Sequence, residues 1–219
     1  MMVTTPRQRE TDIRLVQRSI DEAVSPPDWR RRLPVLGGTL VRLREPRRSD
    51  AASLFAMLTI EDVARFISPP PTTVEGFERF IARTSRRRSA GVSVCFGVTL
   101  QGYDTAIGVF QVRPLEPGFG IAEWGFAIGS AFWGTGVFLE SAALVMHFVF
   151  ETIGVHRLEA RAAVQNGRGR SALQKLGAVQ EGILRESLRQ NGEIFDQALY
   201  AILDEDWRLA HAAASSALT

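Results

Sequence analysis

Apolar and polar positions alternate along this chain in two periods, and the switches between them mark out the elements. From Gly38 to Glu45, Leu40 and Leu43 stand among Arg42 and Arg44, which predicts a first strand. Ser49-Asp50 then predicts the cap of a helix carrying Leu54, Phe55, Met57 and Leu58. A second helix carries Phe77, Phe80 and Ile81 behind the capping-box candidate Thr72-Thr73-Val74-Glu75. Between the two helices, Ile60 to Ile67 runs into Pro69-Pro70-Pro71, a loop apolar enough either to wall a pocket or to close the core. Period two returns over 93–100 and 105–113, joined across Gln101-Gly102-Tyr103-Asp104 as a hairpin, and again from Ile121 to Ile128. Val137 to Phe150 is the most apolar helix-like run, and Val155 to Val164 alternates as the next strand, so strand, helix and strand form a parallel crossover. Asn166 opens a helix with Ala172, Leu173 and Leu176, stopped by Gly177, and two last strands flank the turn Asn191-Gly192. The fold class is therefore α/β, a mixed and mostly antiparallel sheet with helices on both faces, in the order β-α-α-β-β-β-α-β-α-β-β.

Residues 1–37 differ in pattern from the rest of the chain. Ile13, Val16, Ile20 and Val24 recur at helical spacing among charges, and Pro26-Pro27 ends the pattern. This is read as an N-terminal extension, either packed on the domain or serving as a partner or homodimer contact; residues 209–219 are read as a C-terminal tail. With 219 residues, 45% hydrophobic and 23% charged, the chain is long enough for one full core. Net charge is only +2, but Lys175 is the sole Lys among 26 basic residues. The runs Arg30-Arg31-Arg32, Arg47-Arg48 and Arg86-Arg87-Arg88 are read as solvated surface, because nucleic-acid binding would need them on one face. A single cysteine, Cys95, permits no internal disulfide, is expected to pack a strand, and fits the cytoplasm. No run approaches the ~18 apolar residues of a membrane span, and three His without HExxH argue for no metal.

Candidate chemistry gathers at Ala131-Phe132-Trp133-Gly134-Thr135-Gly136-Val137, between a strand and the apolar helix. A glycine loop opening a helix aims free N–H groups and the positive dipole end at one point, which suits an anion. A dinucleotide fingerprint would want glycine at Leu139, and a P-loop would want Gly-Lys-Ser/Thr; both are missing. The loop is therefore a phosphate cradle or a tight strand-to-helix turn.

Together with the order of elements, these residues resemble the GNAT acyltransferase family, and within it the RimJ/RimL-like branch. Ala131-Phe132-Trp133-Gly134-Thr135-Gly136 matches the glycines of the acyl-CoA motif, though not its first position, and Trp133-Gly134-Thr135-Gly136 is the branch's form of it. Asn166-Gly167-Arg168-Gly169, Ala172-Leu173, Lys175-Leu176-Gly177-Ala178 and Glu181-Gly182 match the downstream block, with Gly169 where Ser is usual. The resemblance spans Gly38 to Arg208 and implies an N-acyltransferase domain over 38–208, with a splayed parallel strand pair holding acyl-CoA.

Carried over, it implies a pyrophosphate on the backbone N–H groups of Phe132, Trp133, Gly134, Thr135, Gly136 and Val137. The pantetheine arm would run along Phe126, Ala127 and Ile128, with Asn166 and Gly169 on the opposite wall; Asn166 reads equally as a helix N-cap. Glu123, in Ala122-Glu123-Trp124-Gly125, occupies the family's general-base position. It is read either as that base, among Trp124 and Phe126 where apolar surroundings favour proton uptake, or as a strand carboxylate paired with an Arg. Leu173 and Gly169 leave no hydroxyl for a general acid, and Ser171, two residues out of register, is expected to point elsewhere. The implied activity is transfer of acetyl from acetyl-CoA to a primary amine, a protein N-terminus or a small molecule, by direct attack and without a metal. Two alternatives stand beside it, succinyl-CoA as donor and a non-catalytic acyl-CoA-binding regulatory module. Acceptor walls are expected from Ile60 to Thr72 and the final hairpin near Asn191, where Arg65 or Arg113 would favour an acidic partner.

Overall fold

A computed structural model describes residues 28–190 and 192–216. Eight strands form one sheet: β1 Leu36–Gly37, β2 Val41–Arg44, β3 Val94–Leu100, β4 Ala106–Pro114, β5 Ile121–Ile128, β6 Arg157–Ala163, β7 Val179–Gln190 and β8 Glu193–Leu203. Their order is β1-β2-β3-β4-β5-β6-β8-β7. Every neighbouring pair is antiparallel except β5 and β6, which are joined by α4, Val137–His147. Pairing of β5 with β6 runs only through Ile121↔Arg157, Ala122↔Leu158 and Glu123↔Glu159, so the two strands part beyond Glu123.

Side chains alternate across the sheet, and each face has its own core. On one face Phe110, Trp124 and Leu158 pack under α4 with Val145, Phe148 and Tyr200. On the other, Cys95, Val109 and Ala127 meet Leu54 of α1, Ala51–Leu58, and Phe77 and Ile81 of α3, Val74–Ser89. Cys95 does pack a strand, and burial pushes its thiol well above the ordinary range. Thr73 caps α3 by accepting from Gly76 N–H at 3.0 Å.

Several expectations change. The first strand is a hairpin, β1 and β2, whose turn is closed by Gly38 N–H donating to Val41 O at 2.9 Å. Within Ile60 to Ile67 lies a short helix, α2, Glu61–Ala64, with two acids in its first turn. Asp50 does not cap α1 with its side chain; the carboxylate is taken by the Arg44 guanidinium at 2.8 and 2.9 Å. The arginines are not all surface: Arg44 is buried in that pair, and Arg88 reaches the Trp29 and Arg30 carbonyls and Glu45. Of the segment read as an extension, residues 28–37 are built into the domain, since Trp29 and Leu33 enter the α4-side core and β1 joins the sheet. The helix expected across Ile13 to Val24 lies outside the described residues, as does Asn191. At the other end, Asp204-Glu205-Asp206 and the buried Trp207 start a final helix, α6, Asp204–Ser216, which covers much of the expected tail. No helix among the described residues is long and apolar enough to cross a membrane.

Candidate active site

Where β5 and β6 part, a groove of about 650 Å³ opens. Its floor is the end of β5, at Phe126, Ala127 and Ile128. One wall is the loop into α4, through Trp133, Gly134, Gly136, Phe138 and Leu139; the facing wall is the start of α5, Gly167–Lys175, with Gln165 to Gly169, Ser171, Ala172 and Lys175. The α2 segment, Asp62 to Ile67, closes one end.

The backbone of β5 presents two kinds of edge. Gly129 N–H donates to Ile107 O and Ile121 O accepts from Leu115 N–H, so odd-numbered residues of β5 bond β4. Alternation turns the N–H and C=O groups of Trp124, Phe126 and Ile128 toward the opened side. Ala127 is thus a floor side chain, with its backbone engaged by β4, while Phe126 and Ile128 face the groove. Ile128 O is already held by Trp133 Nε1–H at 3.0 Å, which anchors the loop to the strand before it.

The loop's own N–H groups divide the same way. Phe132 and Trp133, expected to offer theirs to phosphate, donate them to Gly129 O and Ser130 O at 3.0 and 3.1 Å within a 3-10 turn. From Gly134 to Leu139 no N–H has a backbone partner among the described residues, until Glu140 N–H bonds Gly136 O at 3.1 Å. Gly134 and Gly136 stand at φ of 78° and 88°, the left-handed region, which is why the loop needs glycine at both. Thr135 and Val137 do not line the groove with side chains: Thr135 Oγ1 turns back to Phe132 O at 2.7 Å, and Val137 is buried. Their N–H groups remain available.

On the facing wall Asn166 is the N-cap, its Oδ1 accepting from Gly169 N–H at 2.9 Å. A Cβ at Gly169 would lie 2.6 Å from Asn166 Nδ2, so the serine usual in the branch would displace the asparagine amide here. Ser171 lies among the groove-lining residues, against expectation, because α5 turns the stripe of Arg168, Ser171 and Lys175 to that side. Arg168 stacks over the Trp133 ring, its Cζ 3.8 Å from the centroid, and bridges the two walls. Both helix N-termini border the groove with Arg65, Arg168 and Lys175, against the single acid Asp62, so the site attracts an anion.

Glu123 lies outside this lining. Its side chain faces away from Trp124 and Phe126, because neighbouring residues on a strand point to opposite faces, so those two rings are not its surroundings as expected. Arg113 holds one carboxylate oxygen, and Arg161 Nε lies 3.3 Å from the other. Arg113, too, lies outside the residues that line the groove. Arg65 does line the groove, and the β7–β8 hairpin braces that end: Phe195 packs edge-on against Phe66 at 5.8 Å, and the buried Gln190 donates to Ala64 O at 3.2 Å. Sequence carries no sign of these braces, since Gln190 and Phe195 give no signal apart from the hairpin itself. No cluster of His, Cys, Asp and Glu able to hold a metal occurs among the described residues.

Comparison with known proteins agrees with this geometry. The family model "Acetyltransferase (GNAT) domain" matches residues 41–179. YdaF of Bacillus subtilis (strain 168), provisionally assigned as a ribosomal N-acetyltransferase, is 28% identical over 173 residues, covering 76% of this chain and 92% of its own. The [Ribosomal protein uS5]-alanine N-acetyltransferase of Escherichia coli (strain K12) is 25% identical over 133 residues, 60% of this chain and 69% of its own. In fold, the chain is like Mycobacterium smegmatis RimJ in complex with CoA-disulfide, with a TM-score of 0.70 at 22% identity, over 78% of this chain and 85% of that one. An anion-attracting groove in a splayed strand pair, framed by a matching domain, thus has one reading: the chain belongs to the GNAT family, in its RimJ/RimL-like branch, and is an acyl-CoA-dependent N-acetyltransferase.

Proposed function

We propose that the groove takes acetyl-CoA, with its pyrophosphate on the N–H groups of Gly134 to Leu139 and its pantetheine arm alongside Phe126 and Ile128 like an added strand. The observation that supports this best is the run of unpartnered N–H groups at the start of α4, beside an opened strand edge. The acceptor is the α-amino group of a protein N-terminus, entering past Asp62 to Ile67. The amine nitrogen attacks the thioester carbon, the carbonyl oxygen is polarised by a β5 N–H, and the C–S bond breaks as the thiolate leaves to be protonated by solvent. Glu123 receives the ammonium proton through water.

An α-amine makes a smaller demand on a base than a lysine side chain does. At pH 7 about a tenth of α-amino groups are already neutral, against fewer than about one in a thousand lysine side chains. The names of YdaF and the uS5-alanine enzyme point the same way. The lone Cys95 suits action in the cytoplasm. Thiol release would be followed with acetyl-CoA and succinyl-CoA, using a free N-terminal alanine peptide and an N-blocked lysine peptide. Acetyl transfer to the free N-terminus is expected to dominate; faster transfer to lysine, or from succinyl-CoA, would overturn this assignment. Glu123→Gln is expected to lower turnover more at low pH than at high pH, where the amine is neutral unaided, with CoA affinity kept. An unchanged profile removes Glu123 from the mechanism.

A further inference from the structure

Glu140, in the first turn of α4, has its carboxylate chelated across the molecule by three successive backbone N–H groups. Thr39 donates to Oε1 at 2.7 Å, and Leu40 and Val41 donate to Oε2 at 2.7 and 2.9 Å. The donors belong to the β1–β2 turn, itself held by Gly38 N–H to Val41 O, Gln101 N–H to Leu40 O and Gln101 Nε2 to Gly38 O. The turn is shaped around the carboxylate: a Cβ on Gly38 would lie 2.6 Å from the Glu140 carboxyl carbon. It also underlies the loop directly, since Leu40 Cδ1 would be 3.2 Å from a Cβ on Gly136.

A carboxylate at this place has two fates. Left free, it is drawn to the same unpartnered N–H groups and dipole end that face the groove, where it would compete with an incoming phosphate. Held in the nest of the β1–β2 turn, it is withdrawn and its charge answered, while α4 is fastened to the sheet four residues after Gly136.

We propose that Glu140 is a positioning residue for acyl-CoA: through the Thr39 to Val41 nest it fixes the Gly134 to Leu139 loop in its phosphate-receiving shape and keeps its own charge away from that site. The proposal rests on reading the groove as the acyl-CoA site. Two variants strike the contact from opposite sides. Glu140→Gln replaces one accepting oxygen with an amide that faces N–H groups, and Gly38→Ala pushes the carboxylate out of its cradle. The measurements are CoA affinity by calorimetry and steady-state kinetics with acetyl-CoA and with S-acetylpantetheine, which lacks the pyrophosphate. Each variant is expected to raise the KM for acetyl-CoA and the Kd for CoA about tenfold, the size of one lost charge-assisted hydrogen bond. It should leave kcat within about twofold and kcat/KM for S-acetylpantetheine at the wild-type value; the double variant should match either single one, since they break one contact. Unchanged CoA affinity in both variants overturns the proposal, and so does an equal loss with both donors, which marks a general role in folding. If wild type itself binds no CoA, it is the reading of the groove that fails.

Discussion

The glycine pair of the α4 loop offers a perturbation whose size can be worked out in advance. Gly134 has φ of 78° and open space where a Cβ would go; Gly136 has φ of 88° and Leu40 Cδ1 at 3.2 Å from that point. An L-residue in left-handed backbone costs about 1–2 kcal/mol. Alanine at 134 therefore meets backbone strain alone, while alanine at 136 must also move Leu40. The strain is felt in one of two ways. If the free protein keeps the loop shape, stability falls; if the free loop relaxes, stability is kept and ligand binding must restore the shape. For Gly134→Ala the two losses, from denaturation and from calorimetry with CoA, should thus sum to about 1–2 kcal/mol, equal to about 5- to 30-fold if all of it appears in affinity. Gly136→Ala should lose more, and Gly167→Ala, helical and with open space around its Cβ, should lose no stability. A summed loss for Gly134→Ala below about 0.5 kcal/mol would refute this reasoning, because an unstrained alanine there means that the bound loop does not have this backbone.

Burial leads to two further outcomes. Asp50→Ala strands the Arg44 guanidinium, both side chains being 3% exposed, and should cost about 3 kcal/mol in denaturant unfolding, the low end for a broken buried pair because Asp104 still holds Arg44 Nε at 2.7 Å. A loss no larger than that of Asp104→Ala, whose side chain is 56% exposed, would contradict this. Cys95, buried and with its thiol pushed up by desolvation, should resist thiol reagents in the native protein and react once the chain is unfolded; native labelling at the unfolded rate would contradict the packing.

Much of this architecture is readable from periodicity, because strands with one buried face and helices with one apolar stripe declare themselves locally. Ile121 to Ile128 coincides with β5, and the caps at Thr73 and Asn166 accept as their residue types suggest. What stays hidden is non-local. That Asp50 would answer Arg44, or that Glu140 would be bound by a turn a hundred residues away, depends on contacts no window of sequence contains. Glu123 is the instructive case: strand alternation alone separates its side chain from Trp124 and Phe126, whereas its pairing with Arg161 requires knowing that β6 lies alongside. The 3-10 turn that engages the Phe132 and Trp133 N–H groups likewise carries no residue signature, so the run of N–H groups without a backbone partner begins later than the motif suggests.

Whether acyl-CoA lies in the opened strand pair, with its pyrophosphate at the start of α4, is decided most directly by a crystal structure of the chain with CoA. Phosphate oxygens are expected within hydrogen-bond distance of N–H groups between Gly134 and Leu139, and pantetheine amides paired with the backbone of Phe126 or Ile128. A pyrophosphate held away from that loop, or a pantetheine arm outside the β5–β6 opening, would contradict this placement.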